Sequence, residues 1–361
     1  MAKYYKQLFQ LMRIGLGISD EPVIISDEAA WHWVYTESKW QSIHGVIFEG
    51  INRNSKYSKP STQLILKWVV ESERLKRVNA KFDQEAKRLT ELFDADGLLS
   101  VVLKGQGNEM LYPVKGCRTP GDIDIYLEGG KENVIRCLEY HGMLQNAEPA
   151  TYHHVHFTAE PSGIAIEVHF RPSSGLLWWG NNRRLQRILS QEIFKSSMTE
   201  RGFRVPTSTF NILMQLAHIH RHFHEGGVGL RQITDFYYVL RHSSASDLQG
   251  ANSVIGKIGL RGVASALMWV LQQQYLLGKE YMIAQPNANL GKILLQDICK
   301  GGNFGQHIWN ESSGFWRTVF HRRYRSLCLM RFSVLETLGE EWSHFCYLIG
   351  KMSRKSSKKL S

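Results

Sequence analysis

The chain has 361 residues, enough for two or three structural units around a sizeable core, with hydrophobic and charged fractions of 43% and 21% that are ordinary for a globular protein. A net charge of +11, from 44 basic and 33 acidic residues, attracts polyanions without specifying one. No stretch approaches the ~20 apolar residues of a membrane span; the most apolar window, Val263 to Leu277, is broken by three glutamines, so no membrane partner is expected.

The first residues, MAKYYKQLFQLMRIGLG, lack an uninterrupted apolar core and do not read as a signal peptide. Cys117, Cys137, Cys299, Cys328 and Cys346 are scattered and contain no CxxC, which suggests free thiols in a reducing compartment and a cytoplasmic protein.

Residues 1–97 are predicted to be helical. Leu8, Leu11, Met12 and Ile14 recur at helical spacing, and Ser26-Asp27-Glu28 is a helix start with Trp31, Val34 and Tyr35 behind it. Pro60-Ser61-Thr62 opens a long helix or helix pair through Phe93, with Glu71, Glu73, Arg74, Lys76, Arg77 and Lys81 on its wet side. The tryptophans suit a core better than a ligand-stacking role.

Over 98–205 the pattern changes to short strands. Strands are predicted at 99–103, 122–127, 152–158, 164–170 and 203–205, with a helix over 131–141 and Pro161-Ser162-Gly163 as a turn. From 206 to 350 the chain is helical again. One helix runs from Thr207 or Ser208 through His222, a glycine pair breaks it, and it resumes over 230–240; further helices are expected at 248–278, 288–299 and 308–350. Residues 351–361 form a basic tail expected to be disordered.

Chemistry concentrates between Leu99 and Tyr126. A valine-rich strand runs into Lys104-Gly105-Gln106-Gly107 and then a helix start, a form that presents backbone N–H groups to an anion. Asp122 and Asp124 follow on the strand Ile123-Ile125-Tyr126, where alternation points both the same way. Paired carboxylates repel, and a divalent cation with substrate phosphates would offset that repulsion. Glu167, in Ile164-Ala165-Ile166-Glu167-Val168-His169-Phe170, needs a partner or a metal if buried. His169 shares its face. Arg118 suits a phosphate or Asp122, or a solvated loop; Lys104 suits a triphosphate, or the surface end of a strand.

LKG, Tyr112-Pro113, Arg118 and GDIDI together resemble the mostly uncharacterised bacterial branch of the nucleotidyltransferases in the polymerase-β superfamily. The turn departs from the superfamily's Gly-Ser or Gly-Gly at Gly105-Gln106. The resemblance implies an α+β fold, with a small mixed sheet as nucleotidyltransferase core (98–205) flanked by N-terminal and C-terminal helical regions. It implies Asp122, Asp124 and Glu167 as catalytic residues and ligands of Mg²⁺ or Mn²⁺. It implies an NTP co-substrate, ATP first, held by Lys104, Gly105, Gln106, Arg118, Gly121 and His169. His218, His222, Arg231 and Asp235 match the branch's His-x3-His helix and following Arg and Asp, and would contact nucleotide or acceptor; an ordinary i,i+4 pair is the bland alternative for Arg231 and Asp235. The acceptor is left open among a small molecule, RNA and protein. A toxin-like enzyme acting on tRNA or protein is one alternative, and a non-catalytic nucleotide-binding module of the same fold is another. Zinc finds little support, since HxxxH lacks the inner glutamate of HExxH and no cysteine stands at ligand spacing.

Overall fold

A computed structural model describes residues 2–225, 227–302 and 325–357. Helices dominate, around a four-stranded sheet and a separate two-stranded hairpin. In the N-terminal region, α1 (Ala2–Gly15) buries Leu8, Leu11, Met12 and Ile14. Asp27 caps α2 (Glu28–Trp40) by accepting from the Ala29 N–H, and α3 (His44–Asn54) packs across α1. Next comes α4 (Thr62–Ala95), a single 34-residue helix with neither glycine nor proline to interrupt it. Its stripe of Leu64, Trp68, Leu75, Phe82, Ala86, Leu89 and Phe93 is buried throughout.

The core follows in chain order: β1 (Ser100–Val102), the single turn α5 (Gln106–Glu109), β2 (Ile123–Leu127), α6 (Gly130–Tyr140), β3 (His154–Ala159) and β4 (Ile164–His169). The four strands make one mixed sheet in the order β1-β2-β4-β3, with β2 and β4 parallel and both outer pairings antiparallel. Alternation then separates two faces. Ile123, Ile125, Ile166, Val168, Val155 and Phe157 pack on the second half of α4 and on Val134 and Leu138 of α6. Asp124, Glu167, His169 and His154 lie on the opposite face.

The chain continues through α7 (Trp179–Glu192), α8 (Ser208–Glu225), α9 (Leu230–Arg241), α10 (Ala245–Ile255), α11 (Arg261–Tyr275), α12 (Ala288–Gly301) and α13 (Val334–Ser357). A single apolar cluster joins Leu8 and Trp31 of the N-terminal helices to Phe236 and Leu267 of the C-terminal ones and to Phe332 in the turn before α13. Among the described residues, no helix is long and apolar enough to cross a membrane.

The strand expected at 203–205 is β6 (Arg204–Val205), which pairs with β5 (Ser197–Met198) in a separate hairpin. Three expectations need correction. The helix expected over 248–278 is two, α10 and α11, because the chain turns between Gly256 and Gly259. The expected disordered tail from 351 is helical through Ser357; after Gly350 no glycine or proline follows, and Lys, Met and Arg are good helix formers. The described part of the helix expected over 308–350 is interrupted by a turn at 330–333 before α13 begins; its part before Arg325, and residues 358–361, lie outside the described residues.

Candidate active site

Strand register builds the centre of the site. Asp124 on β2 stands opposite Glu167 on the parallel neighbour β4. His169, two residues along β4, stands opposite His154 on the antiparallel β3. Asp122 sits just before β2 and lines the same cavity. That cavity, about 370 Å³, is of a size that accommodates a small ligand.

The acidic groups are neutralised from two sides. Lys104 Nζ lies 3.2 Å from Asp124 Oδ2, at the end of β1. His169 Nε2 lies 3.1 Å from Asp124 Oδ1 and 3.3 Å from Glu167 Oε2. Burial pushes the Glu167 carboxyl upward, but the hydrogen bond and charge of His169 outweigh it and hold the group at about 2. Burial likewise opposes charge on His169, and the hydrogen bonds it donates to Asp124 and Glu167 overcome it and raise the imidazole. Burial works against charge on Lys104 too, yet Asp124, Asp122 and Glu167 together keep it raised.

Asp124, Glu167 and His169 bring three donor atoms within 4.8 Å of one another. Asp124 is 1% exposed, and its Oδ2 makes no hydrogen bond among the described residues, leaving Lys104 as its counter-charge. A buried, under-satisfied carboxylate oxygen beside two further donors fits a divalent cation.

Helices α8 and α9 roof the cavity. From α8 come Gln215, His218, Arg221 and His222; from α9 come Arg231 and Asp235. His218 and His222 face each other at 3.1 Å between their Nε2 atoms. Burial depresses both, His222 to about 4, with Lys104 adding to it. Arg221 Nη1 donates to the Ser174 carbonyl at 2.6 Å, tying the roof to the loop after β4. Arg231 donates to the Thr119 carbonyl at 3.2 Å, and a Cβ on Gly121 would come within 3.1 Å of its Nη1.

The N-terminal helices hold the loop that enters β2. Asn79 of α4 donates to the Arg118 carbonyl at 2.9 Å, and Gly45 of α3 sits against the Cys117 carbonyl, where a Cβ would be only 2.3 Å away. This fixes Arg118, whose fork binds Asp235 through two hydrogen bonds of 2.8 Å. Tyr112 donates to the same carboxylate at 2.7 Å.

Twelve residues expected at the site line this one cavity: Lys104, Gly105, Arg118, Gly121, Asp122, Asp124, Glu167, His169, His218, His222, Arg231 and Asp235. Gln106 does not: its amide turns to Asp83 Oδ1 at 2.7 Å and to the Asn79 carbonyl on α4. The reason is local. Gly105 takes φ +64°, a left-handed conformation suited to glycine, and α5 begins already at Gln106, within the expected turn, swinging that side chain to the far side. Arg118 is buried and held by Asp235, neither solvated nor paired with Asp122 as the sequence reading allowed. Sequence reading missed Asn108, Ser173, Ser174, Gln215, Arg221 and Gln232, which also line the cavity. Only Arg221 carried a signal, by lying between His218 and His222.

A model of the family described as uncharacterised nucleotidyltransferase matches residues 27–275, and the chain belongs to that family. An antigenic nucleotidyltransferase-like protein from Paracoccidioides brasiliensis is similar at 10% identity and a TM-score of 0.34, over 58% of this chain and 96% of that one. The polymerase core of TRAMP, an RNA surveillance complex, is similar at 19% identity and a TM-score of 0.20, over 64% of this chain and 69% of that one. No curated protein matches.

Proposed function

We propose that this protein transfers a nucleoside monophosphate from an NTP, ATP first among candidates, to an acceptor hydroxyl and releases pyrophosphate. The observation that carries this reading is the facing pair Asp124–Glu167, with Asp122 beside it, in a cavity whose walls supply Lys104, Arg221 and Arg231. Asp122, Asp124 and Glu167 would hold Mg²⁺ or Mn²⁺, which would stabilise charge on the attacking and leaving oxygens of an in-line displacement.

In this reaction the acceptor oxygen bonds to the α-phosphorus and the bond to the bridging oxygen breaks. The hydroxyl proton goes to Glu167, which His169 keeps ionised. Lys104 and the roof arginines hold the triphosphate, and α8 and α9 shield the reacting atoms from water. His218 and His222, kept neutral by burial, are suited to hydrogen-bonding the base or the acceptor rather than to binding phosphate. The five cysteines are all free, in keeping with a reducing, cytoplasmic setting.

Calorimetry with Mg²⁺ and ATP on the wild type, Asp122→Asn and Asp124→Asn tests the proposal, followed by labelled NTPs offered with total RNA, total protein and a metabolite extract. Binding that requires Mg²⁺ and is lost in folded variants supports it, and the labelled fraction identifies the acceptor class. Nucleotide binding unchanged by both substitutions would reduce the protein to a binding module of the same fold.

A further inference from the structure

A second cavity, of about 490 Å³, adjoins the catalytic one, and Pro172 lines both. It lies where the start of α6, the residues leading into β3 and the loop after β4 meet, with Gln186 of α7 as a further wall. Its lining inverts the charge of its neighbour. The catalytic cavity carries Asp122, Asp124, Glu167 and Asp235. No carboxylate lines the second among the described residues; Lys131 and Arg171 do.

Each of these cations rests on a ring. The guanidinium carbon of Arg171 lies 4.3 Å from the Tyr152 ring centroid, and its Nη1 donates to the Tyr152 hydroxyl at 3.2 Å. Lys131 Nζ lies 5.9 Å from the Phe170 ring centroid. Both cations are exposed, and Tyr152 keeps 49% of its surface open. A solvated lysine or arginine needs no partner. Two of them around a hollow with an open ring, however, make a place where an anion and a planar group bind together. Rings also lead inward from this hollow. The Tyr152 and His153 centroids are 6.5 Å apart, and His153 stands 5.2 Å from His169, the partner of Asp124 and Glu167. Lys104, Arg221 and Arg231, the cations assigned to the triphosphate, all belong to the first cavity, which leaves Lys131 and Arg171 for a second anion.

We infer that this cavity is the acceptor subsite and that the acceptor is the 3′ end of a single-stranded nucleic acid, with a base stacked on Tyr152 and phosphates against Lys131 and Arg171. The inference rests on the nucleotidyl reading above, which requires an acceptor hydroxyl beside Glu167. The terminal 3′-hydroxyl oxygen bonds to the α-phosphorus as pyrophosphate leaves, and its proton passes to Glu167. An open ring beside a cationic track is the way proteins hold unpaired strands. A neutral small acceptor would use neither cation, and an acidic peptide would not use the ring. Bases in a duplex are already stacked on one another, so a paired end gains nothing at Tyr152. The net charge of +11 draws such a strand toward the protein.

The probes are 5′-fluorescein oligoadenylates of about eight residues, one ribose and one deoxyribose, titrated with full-length protein by fluorescence anisotropy without Mg²⁺ or NTP. Wild type is compared with Tyr152→Ala and with Lys131→Gln/Arg171→Gln, each checked for folding by circular dichroism. Tyr152→Ala is expected to weaken binding roughly 5- to 100-fold with an unchanged salt slope. The double variant is expected to flatten the slope of log affinity against log salt by about 1.4, at about 0.7 for each lost phosphate contact. The tighter of the two oligonucleotides identifies the strand. Equal affinity in all variants, a duplex bound as tightly as the single strand, or a glutamate-rich peptide bound as tightly as either would each overturn the inference, the last in favour of a protein acceptor. Mg²⁺-dependent ATP binding on the same preparations separates the two proposals. If wild type binds ATP while the variants hold the oligonucleotide unchanged, nucleotidyl transfer stands without this subsite. If the variants lose the oligonucleotide while wild type binds no ATP, the single-strand site stands and the nucleotidyl reading falls.

Discussion

Glu167 shows how one side chain ties the site to the pH dependence of the fold. Its carboxyl is held at about 2, against ~4.3 in an unfolded chain. The stability it contributes is therefore present above the unfolded value and is lost as pH falls toward 2. His169 has the opposite sign: its folded value is raised, so its contribution is present at low pH and fades as pH rises through that value. Without metal, Glu167→Gln should flatten the acid limb of a urea-midpoint profile between roughly pH 4.3 and 2. It should also lower the pKa of His169 in an NMR titration, because one of its two carboxylate partners is gone. A wild-type acid limb in the variant would mean that Glu167 is not held by His169. At this scale the site was largely legible. GDID and the later Glu-x-His declare themselves by residue type and period. His153 and His154, weighed from sequence only with His156 as a disfavoured zinc set, also line the cavity, and that depends on which strand pairs with β4 and in what register.

Elements are held by pairs that sequence does not announce. Arg118 and Asp235, 117 residues apart, form a buried double hydrogen bond between the loop into β2 and helix α9. From sequence, Arg231 and Asp235 were placed at the nucleotide or acceptor site with a pair along one helix as the alternative, because i,i+4 spacing is readable and a long-range partner is not. Burial raises the stakes. Asp235→Ala leaves the guanidinium and the Tyr112 hydroxyl without their acceptor, and should destabilise by about 3–5 kcal/mol in denaturant unfolding. The double variant Arg118→Met/Asp235→Leu should recover much of that loss, because no charge is then stranded. If the single and double variants are equally unstable, packing rather than charge dominates the pair. The same scale explains Gln106: the strand-glycine-helix order was readable, but the length of α5 decides which way the amide points.

The whole molecule is tied together by its apolar packing. Leu64 and Trp68 at the start of α4 belong to the cluster shared by N-terminal and C-terminal helices, while Phe82 to Phe93 of the same helix support the sheet. The composition shifts near 98 and 206 marked changes of secondary structure. They carry no information about which helices share a core, since buried leucines look alike on either side of a boundary. A rigid 34-residue helix shared by both clusters should couple them into one cooperative unit. Gly50 offers a test far from the catalytic face. On α3 it abuts α1 so closely that a Cβ would lie 2.1 Å from the Leu11 carbonyl, and Gly15 repays the approach with 2.0 Å to the Val46 carbonyl. Gly50→Ala must push backbone against backbone, which outweighs alanine's helix preference and should cost about 1–3 kcal/mol. Under one cooperative transition, far-UV circular dichroism, tryptophan fluorescence and loss of the Glu167–His169 NMR signature shift to the same lower midpoint. Were the N-terminal helices an independent unit, the tryptophan fluorescence transition would split, with the part from the N-terminal helices moving to a lower midpoint and the His169 signature staying at its wild-type one. Coincidence of the three probes would show that helices with no chemistry of their own still set the stability of the loop that brings Arg118 and Asp122 to the cavity.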